Sequence, residues 1–384
     1  HAATGILGKT VENAVRPDNG QGIGTWTGTA LSGKLHEMPA LTIITRRRQL
    51  RHAAEALLGE LGVGEALAKA WDVRGAIILL YHSVAGADTM PWVDPREHIS
   101  AAGFERQMRF LAEKREVVSL SQLVNTCAQS RNGPGNSVVI TFDDGYLDTL
   151  TIAAPILAQY GLPATLYLPT GYISRGENQW VDQLFGMFRA RTSHRLVIPG
   201  LDGEEFDLQC PGRLQAVYHA LADHLLTAAP AARRGLLGDI EDQLRPRLQP
   251  PRLTMNWDEV RTLLRDYPGF EIGVHTREHV DISTHGGCLG RQEIEASIAD
   301  VEGELGFRPV HFAFLYDRST TESRELLGGL GLCSAVAGGV DPLNRAGFDP
   351  FGLVRIGAPK SLGQLRLVTS GAYPRLVDAL RRRN

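Results

Sequence analysis

Two carboxylates stand side by side at Asp143 and Asp144, directly after the apolar run 138–142. Such a run predicts a buried strand. Two ionised carboxylates at its end repel each other and lose hydration, unless a cation or a proton separates their roles. An ordinary turn is the alternative, because Asp-Asp-Gly is common turn chemistry. Polar residues at other strand ends have to decide between these two interpretations.

Two histidines four residues apart, His275 and His279, lie at the end of another strand-like run, 270–275. Two imidazoles at this spacing can converge on one cation, although a pair of surface histidines explains the spacing alone equally simply. Two histidines and one carboxylate, with open positions for water, form a common catalytic metal geometry. The joint occurrence of all three at strand ends favours a metal site.

The elements that must position these residues alternate between strands and helices. The predicted strands are 75–84, 138–142, 164–169, 270–275, 310–316, 333–338 and 352–357, and the predicted helices include 46–71, 101–114 and 147–161. This alternation predicts a mainly parallel sheet with helical crossovers. Eight or so short parallel strands indicate a barrel-like α/β domain, whose active site lies at the carboxyl ends of the strands.

The chain divides into segments of different composition. Residues 1–37 are rich in Gly, Thr and Asn, and we interpret them as a loose leader or an expression remnant, with Met38 as a native start. Residues 38–74 are predicted to form a helical N-terminal segment, and 75–384 the α/β domain. Within that domain, the charged, helix-forming stretch 176–252 is predicted to be an insertion on the rim of the barrel.

The bulk composition limits the partners. The 384 residues carry a net charge of −3, which argues against nucleic acid as a partner. No apolar run approaches the roughly 20 residues of a membrane span, and no export signal is seen, so a cytoplasmic location is predicted. The basic segment 46–52 could contact anionic lipid at a membrane surface, with a solvated helix face as the alternative. The scattered cysteines, without a CxxC pair, are predicted to be buried thiols: Cys127, Cys210, Cys288 and Cys333.

The motifs at the strand ends resemble those of a known family. Residues 141–146, Thr-Phe-Asp-Asp-Gly-Tyr, and 275–279, His-Thr-Arg-Glu-His, are similar to the first two signature motifs of the NodB-type polysaccharide deacetylases, carbohydrate esterase family 4. The resemblance spans roughly residues 75–360. It implies a distorted (β/α) barrel and the metal-dependent removal of N-acetyl groups from amino sugars, with an N-acetylated carbohydrate as substrate.

The resemblance gives the two adjacent carboxylates separate roles. Asp144, His275 and His279 resemble the ligands of a divalent metal, for which Zn²⁺ is the favoured ion and Co²⁺, Ni²⁺ or Mn²⁺ are alternatives. Asp143 resembles the general base that takes a proton from the attacking water. A metal lowers the pKa of water from about 15.7 towards 7, so a nearby carboxylate can complete the deprotonation.

The third family motif is where this chain departs. Residues 312–317 read Phe-Ala-Phe-Leu-Tyr-Asp, whereas the family pattern is close to Arg-x-Pro-Tyr-Gly or Phe-Ala-Tyr-Pro-Tyr-Gly. Tyr316 aligns with the tyrosine whose backbone N–H helps to bind the oxyanion. Leu315 and Asp317 replace Pro and Gly, which predicts a changed loop and weaker activity or an unusual substrate. Losing one oxyanion donor can cost about 10²–10³ in rate.

The general acid and the cation that orients the base are also displaced. Many members supply the acid from a C-terminal Leu-x-His motif, but no histidine follows His311. The Leu-Tyr-His sequence ending at His82 has this pattern on the first strand. It resembles the circularly permuted branch that includes poly-N-acetylglucosamine deacetylases, so His82 is the predicted acid.

Ala313 stands where the family has its motif-three arginine. Arg355 is the predicted substitute, with a surface salt bridge as the alternative.

Substrate contacts are predicted at Tyr146, Trp180 and Asp182, whose side chains could stack on or hydrogen-bond to sugar rings, with a core role as the alternative for the aromatic residues. Two further functions stay open. One is a hydrolase of a non-sugar amide on the same scaffold. The other is a carbohydrate-binding pseudoenzyme, which only Leu315 and Asp317 favour.

Overall fold

The structure is a computed structural model that describes residues 50–129, 135–198, 205–339 and 341–376. The predicted leader, 1–37, lies outside these ranges. The first residues of the basic segment 46–52 also lie outside them.

The strands close into a barrel. In chain order they are β1 (Ala76–Tyr81), β2 (Ser83–Ala85), β3 (His98–Ser100), β4 (Glu116–Val117), β5 (Ser137–Phe142), β6 (Ala164–Leu168), β7 (Arg195–Val197), β8 (Glu205–Asp207), β9 (Phe270–Val274), β10 (His311–Ala313), β11 (Ser334–Ala337), β12 (Leu343–Asn344) and β13 (Leu353–Gly357). The parallel strands β1, β5, β6, β9, β10, β11 and β13 form a closed ring, because β1 pairs with both β5 and β13. The predicted distorted (β/α) barrel is confirmed, with seven strands in the ring.

Helices surround the barrel. They are α1 (Val63–Ala70), α2 (Ala101–Lys114), α3 (Leu120–Gln129), α4 (Ala154–Gln159), α5 (Thr170–Arg175), α6 (Trp180–Ala190), α7 (Pro211–Thr227), α8 (Pro230–Leu244), α9 (Trp257–Asp266), α10 (Gly287–Leu305), α11 (Thr321–Gly329) and α12 (Leu362–Thr369). Residues 50–60 form a further helix, which is separated from α1 by Gly62 with a φ of 70°. Within the described ranges, none of the helices has the length and apolarity needed to cross a bilayer.

The register of the barrel brings the polar motif residues to one rim. Tyr81 of β1 pairs with Phe142 of β5, so the residues that follow them, His82 and Asp143, emerge at the same level. His275 follows β9, which is parallel to β6 and reaches β5 through it. Because these strands are parallel, their carboxyl ends meet at one face of the barrel, where the predicted site lies.

The helical insertion has an apolar cluster of its own. It contains α6, the hairpin β7–β8, α7 and α8, and the cluster includes Leu184, Leu221 and Leu237. Tyr172 of α5 belongs to the same cluster, and Tyr316 packs against it. The insertion therefore contacts the rim of the barrel. Its bounds as a unit, and those of the other predicted segments, stay a prediction.

The predicted burial of the cysteines is wrong for three of the four. Cys210, Cys288 and Cys333 are exposed, and Cys127 is half-buried. Cys210 precedes the first residue of α7, Cys288 lies in the first turn of α10, and Cys333 precedes β11. These positions are at the ends of elements, where the backbone approaches solvent whatever the apolarity of the side chain.

Candidate active site

Asp144, His275 and His279 converge at the rim of the barrel. All three are buried, and their potential ligand atoms lie within 4.8 Å of one another. Oδ1 of Asp144 is 3.3 Å from Nε2 of His279 and 3.8 Å from Nε2 of His275. Two ligands held tetrahedrally at about 2.1 Å from one ion are roughly 3.4 Å apart. The observed separations therefore suit a single metal ion.

The state of the ligand atoms also fits a cation. Oδ1 of Asp144 is buried and has no hydrogen-bond partner among the described residues, a costly arrangement for a carboxylate oxygen. Nδ1 of His275 donates to the carbonyl of Ala313 at 2.8 Å, which leaves the Nε2 lone pair for a metal. Burial lowers the pKa of His275 to about 4, so at neutral pH the ring is uncharged, the form that binds a metal.

A tryptophan orients the second imidazole. Nε1 of Trp180 donates to Nδ1 of His279 at 3.1 Å. Because an indole N–H only donates, Nδ1 accepts here and the ring proton lies on Nε2, towards Asp144. Metal binding through Nε2 requires that this proton move to Nδ1 and that Trp180 give up the hydrogen bond.

The backbone at the site is bent into unusual conformations. Asp144, Thr276 and His279 have φ angles of 76°, 62° and 52°. This left-handed region costs a residue with a side chain roughly 1–2 kcal/mol. Strain of this kind concentrates at functional sites. At Asp144 it turns the chain sharply, so Asp143 and Asp144 reach different partners.

Asp143 is held by Arg355. Nη1 and Nη2 of the guanidinium donate to Oδ1 and Oδ2 of Asp143, each at 2.7 Å, and Nε donates to Oδ1 of Asp317 at 2.6 Å. Burial alone would raise the pKa of Asp143, but the charge and the hydrogen bonds of Arg355 outweigh it and hold that pKa below its ordinary value. Asp143 is therefore ionised and able to accept a proton.

The same ion pair explains the departure in the third motif. Tyr316 and Asp317 have φ angles of 50° and 58°. Aspartate enters this region more readily than most residues, so it can occupy a turn where the family has glycine. Its carboxylate faces Arg355 rather than adding an unpaired charge to the site. The oxyanion role of Tyr316 stays a prediction.

His82 has a carboxylate partner that the sequence did not indicate. Its Nδ1 is 3.3 Å from Oε2 of Glu97, and its side chain is 23% exposed. Burial lowers the pKa of His82, but the charges of Glu97, Asp144 and Asp143 outweigh this effect and raise it above its ordinary value. A histidine that keeps its proton near neutral pH is suited to act as a general acid.

Asp148 anchors the chain beside His82. Its Oδ2 accepts from Ser83 Oγ at 2.5 Å, and its Oδ1 accepts from the backbone N–H of Val84 at 3.1 Å. Burial raises the pKa of Asp148 to about 6. Sequence reasoning missed this residue. Its spacing of four after Asp144, at the start of the helix that follows the motif, was the available signal.

The three predicted substrate residues lie together but are buried. Tyr146, Trp180 and Asp182 are exposed by 2%, 1% and 2%. The hydroxyl of Tyr146 donates to Oδ1 of Asp182 at 3.0 Å, and within the described residues Oδ2 has no hydrogen-bond partner. Burial, together with the charge of Asp144, raises the pKa of Asp182 well above its ordinary value. Contact of these residues with a sugar stays a prediction.

We expect the protein to bind one divalent ion through Asp144, His275 and His279. A His275→Ala/His279→Ala double variant should lose the ion, because one carboxylate alone is a weak ligand set for a transition metal. Elemental analysis of protein purified without added metal measures this. His285→Ala, which removes a histidine outside the cluster, is the control and should keep full occupancy. Full occupancy in the double variant would contradict the assignment.

Known proteins resemble this chain in the segment that contains the first motif. The family model for polysaccharide deacetylase matches residues 130–193, which contain both motif aspartates. YxkH of Bacillus subtilis (strain 168), which bears the name of a polysaccharide deacetylase, is 28% identical over 92 residues, or 24% of this chain. The match spans 30% of the length of YxkH.

Solved structures share the fold over a larger part of the chain. IcaB from Ammonifex degensii has a TM-score of 0.51 at 17% identity, covering 78% of this chain and 97% of IcaB. The Streptococcus pyogenes deacetylase PplD, solved in complex with acetate, has a TM-score of 0.52 at 14% identity, covering 78% of this chain and 98% of PplD. At these identities, the likeness is one of fold.

The closed barrel, with the polar cluster at its rim, defines a (β/α)-barrel protein that shares the fold of these solved structures. Residues 130–193 match the polysaccharide deacetylase family, and the similarity to YxkH extends over 24% of the chain. The resemblance predicted from the motifs is thereby confirmed.

Proposed function

We propose that this protein is a metal-dependent hydrolase that removes N-acetyl groups from an amino sugar in a glycan, oligosaccharide or glycolipid. One observation carries the proposal. Asp143 is ionised and held by Arg355 on both oxygens, and the next residue, Asp144, converges with His275 and His279. Two consecutive residues thus have different roles. Asp143 would be the general base, and Asp144 would be one of the metal ligands.

The residues of the chain supply the proton transfers. When bound, the divalent ion would polarise the acetyl carbonyl and lower the pKa of the attacking water. Asp143 would accept the proton of that water, since its oxygens stay ionised beside Arg355. His82 would donate a proton to the amide nitrogen as the C–N bond breaks, which yields acetate and a free amine.

Binding of a sugar without turnover would need less than this arrangement. A pseudoenzyme has no use for a buried guanidinium that keeps one carboxylate ionised beside a metal-ligand group. One of the two substitutions that favoured this alternative, Asp317, has another explanation, because its carboxylate pairs with Arg355. We therefore favour catalysis over binding alone.

Acetate release tests the proposal. Incubation with N-acetylglucosamine oligomers and with N-acetylated glycolipid should release acetate, because both present the acetamido group of an amino sugar. A chelator should abolish the release and added Zn²⁺ or Co²⁺ should restore it. An N-acetyl-lysine peptide is the matched substrate without a sugar. Release from the peptide but from no sugar would favour hydrolysis of a non-sugar amide, and no release from any metal-loaded sample would refute the proposal.

The proposal also includes a cellular location. A cytoplasmic enzyme acting on a lipid- or nucleotide-linked precursor fits a glycolipid substrate, and the basic segment 46–52 would provide contact with an anionic membrane surface. Within the described part of this segment, Arg51 and His52 both lie close to Glu55, at 3.6 Å and 3.5 Å. Their charges are thus shared with a carboxylate on the same helix.

A further inference from the structure

The loop that joins the two metal-binding histidines is held from two sides. Oε2 of Glu293, on α10, accepts from the backbone N–H groups of Arg277 at 3.0 Å and Glu278 at 2.7 Å. Nη1 of Arg233, on α8 of the helical insertion, donates to the carbonyl oxygens of Glu278 at 3.0 Å and His279 at 3.1 Å. Glu293 thus accepts hydrogen bonds from the N–H groups of the loop, and Arg233 donates hydrogen bonds to its carbonyls.

Arg233 is built into the insertion as firmly as into the loop. It is only 1% exposed, and its Nε and Nη2 donate to the carbonyls of Leu225 at 2.9 Å and Ala228 at 3.3 Å, at the end of α7. Its guanidinium also stands 5.1 Å from the ring centre of Trp180, a cation–π distance. The planar fork of arginine can serve these acceptors together, which the single ammonium of lysine cannot.

The conformation of His279 explains why the loop needs such a contact. Its φ of 52° lies in the left-handed region, which a residue with a side chain leaves readily unless its surroundings hold it there. Rotation of this backbone would carry the imidazole away from Asp144. The hydrogen bond from Arg233 to the carbonyl of His279 opposes that rotation.

We propose that Arg233 is a positioning residue for the metal ligand His279, so that the helical insertion is part of the metal centre rather than an appendage of the barrel. This inference rests on the proposed function, since it assigns a role towards the same metal. It adds to that function a dependence of metal binding on a segment that carries no family motif.

Metal affinity provides the test. Zn²⁺ binding is measured by competition with a chromophoric chelator for the full chain and for Arg233→Met, Arg233→Lys and Arg234→Met. Arg233→Met should weaken binding roughly 10–100-fold, the usual effect of losing an outer partner of a metal ligand. Arg233→Lys should lie in between. Arg234→Met is the matched control, because Arg234 is the next residue on α8, is 60% exposed and, among the described residues, reaches only the Glu278 side chain, at 3.5 Å. It should leave affinity unchanged.

A spectroscopic measurement separates positioning from general stability. In Co²⁺-loaded protein, the visible absorption bands should shift in Arg233→Lys and stay unchanged in Arg234→Met, because only the former moves a ligand. Circular dichroism and thermal melting show whether Arg233→Met folds. If it does not, the affinity and spectrum of Arg233→Lys decide the question.

These measurements distinguish failure of the proposed metal-dependent function from failure of the proposed role of Arg233. Failure of the unaltered chain to bind Zn²⁺ or Co²⁺ would remove the proposed metal-dependent function and this inference with it. Binding by the unaltered chain, with the same affinity and spectrum in Arg233→Lys, would overturn this inference alone. Equal losses in Arg233→Met and Arg234→Met would also overturn it.

Discussion

Asp143→Asn will abolish turnover and leave the metal bound. An asparagine oxygen cannot take a proton from the attacking water, and general acid–base catalysis typically contributes 10²–10⁴ in rate, on the order expected for this loss. The proposed metal ligands are Asp144 and the two histidines, none of which the substitution touches. Acetate release and metal content, measured on the same preparation, test both halves of the prediction.

Asp317→Asn is the matched control for this variant. Asp143 receives two hydrogen bonds from Arg355, and Asp317 receives one from the same guanidinium. Either substitution leaves the buried guanidinium with one carboxylate partner instead of two, so both should lower the melting temperature. Only Asp143→Asn removes the base. If it released the metal instead, the roles of Asp143 and Asp144 would be exchanged.

His82→Ala should lower deacetylation of an amide by roughly 10²–10⁴, the span of general acid catalysis. The amine of an amide is a poor leaving group unless it is protonated as the C–N bond breaks. An activated aryl acetate ester has a leaving group that needs little protonation, so its hydrolysis should suffer much less. The ratio of the two rates is the measurement. Equal losses on both substrates would remove His82 from the mechanism.

The pH profile extends the prediction to the partner of His82. The charge of Glu97 helps to raise the pKa of His82 above its ordinary value. The acid is present below that pKa, so amide hydrolysis should fall as the pH rises through it. Glu97→Gln removes the charge and should move this falling limb to lower pH, whereas Glu105→Gln, on the exposed face of α2, should not move it. A limb that stayed in place in both variants would show that Glu97 does not act on His82.

Local pattern was enough to predict the elements that carry the chemistry. The strand predicted at 138–142 is Ser137–Phe142, and the helix predicted at 101–114 is Ala101–Lys114. Alternation of apolar runs with helical stretches depends on neighbouring residues, so it can be read along the chain. The position of Asp143 and Asp144 at the end of a strand follows from the same local pattern, and so does the expectation that they meet His275 at one rim.

The apolar or polar character of single residues predicted burial less well than the local pattern predicted strands and helices. Three cysteines predicted to be buried are exposed, because each lies at the end of an element. Trp180 belongs to the insertion cluster and Asp182 is also buried, whereas the sequence left both a sugar contact and a core role open for the tryptophan. Which side of an element faces the core depends on what packs against it, and a single sequence does not contain that information for an irregular insertion.

The tertiary structure decided how the site is held, because the sequence left Arg355 open between orienting the base and forming a surface salt bridge. Arg355 is 212 residues from Asp143, and closure of the barrel brings β13 and β5 to opposite sides of β1, where the two side chains meet. Arg233 is 46 residues from His279 and lies in a segment without a motif. The motifs of the sequence predicted which residues would serve as a base, an acid and metal ligands. Their hydrogen-bond partners were decided by chain closure, because a pairing across that many residues leaves no periodic trace in the sequence.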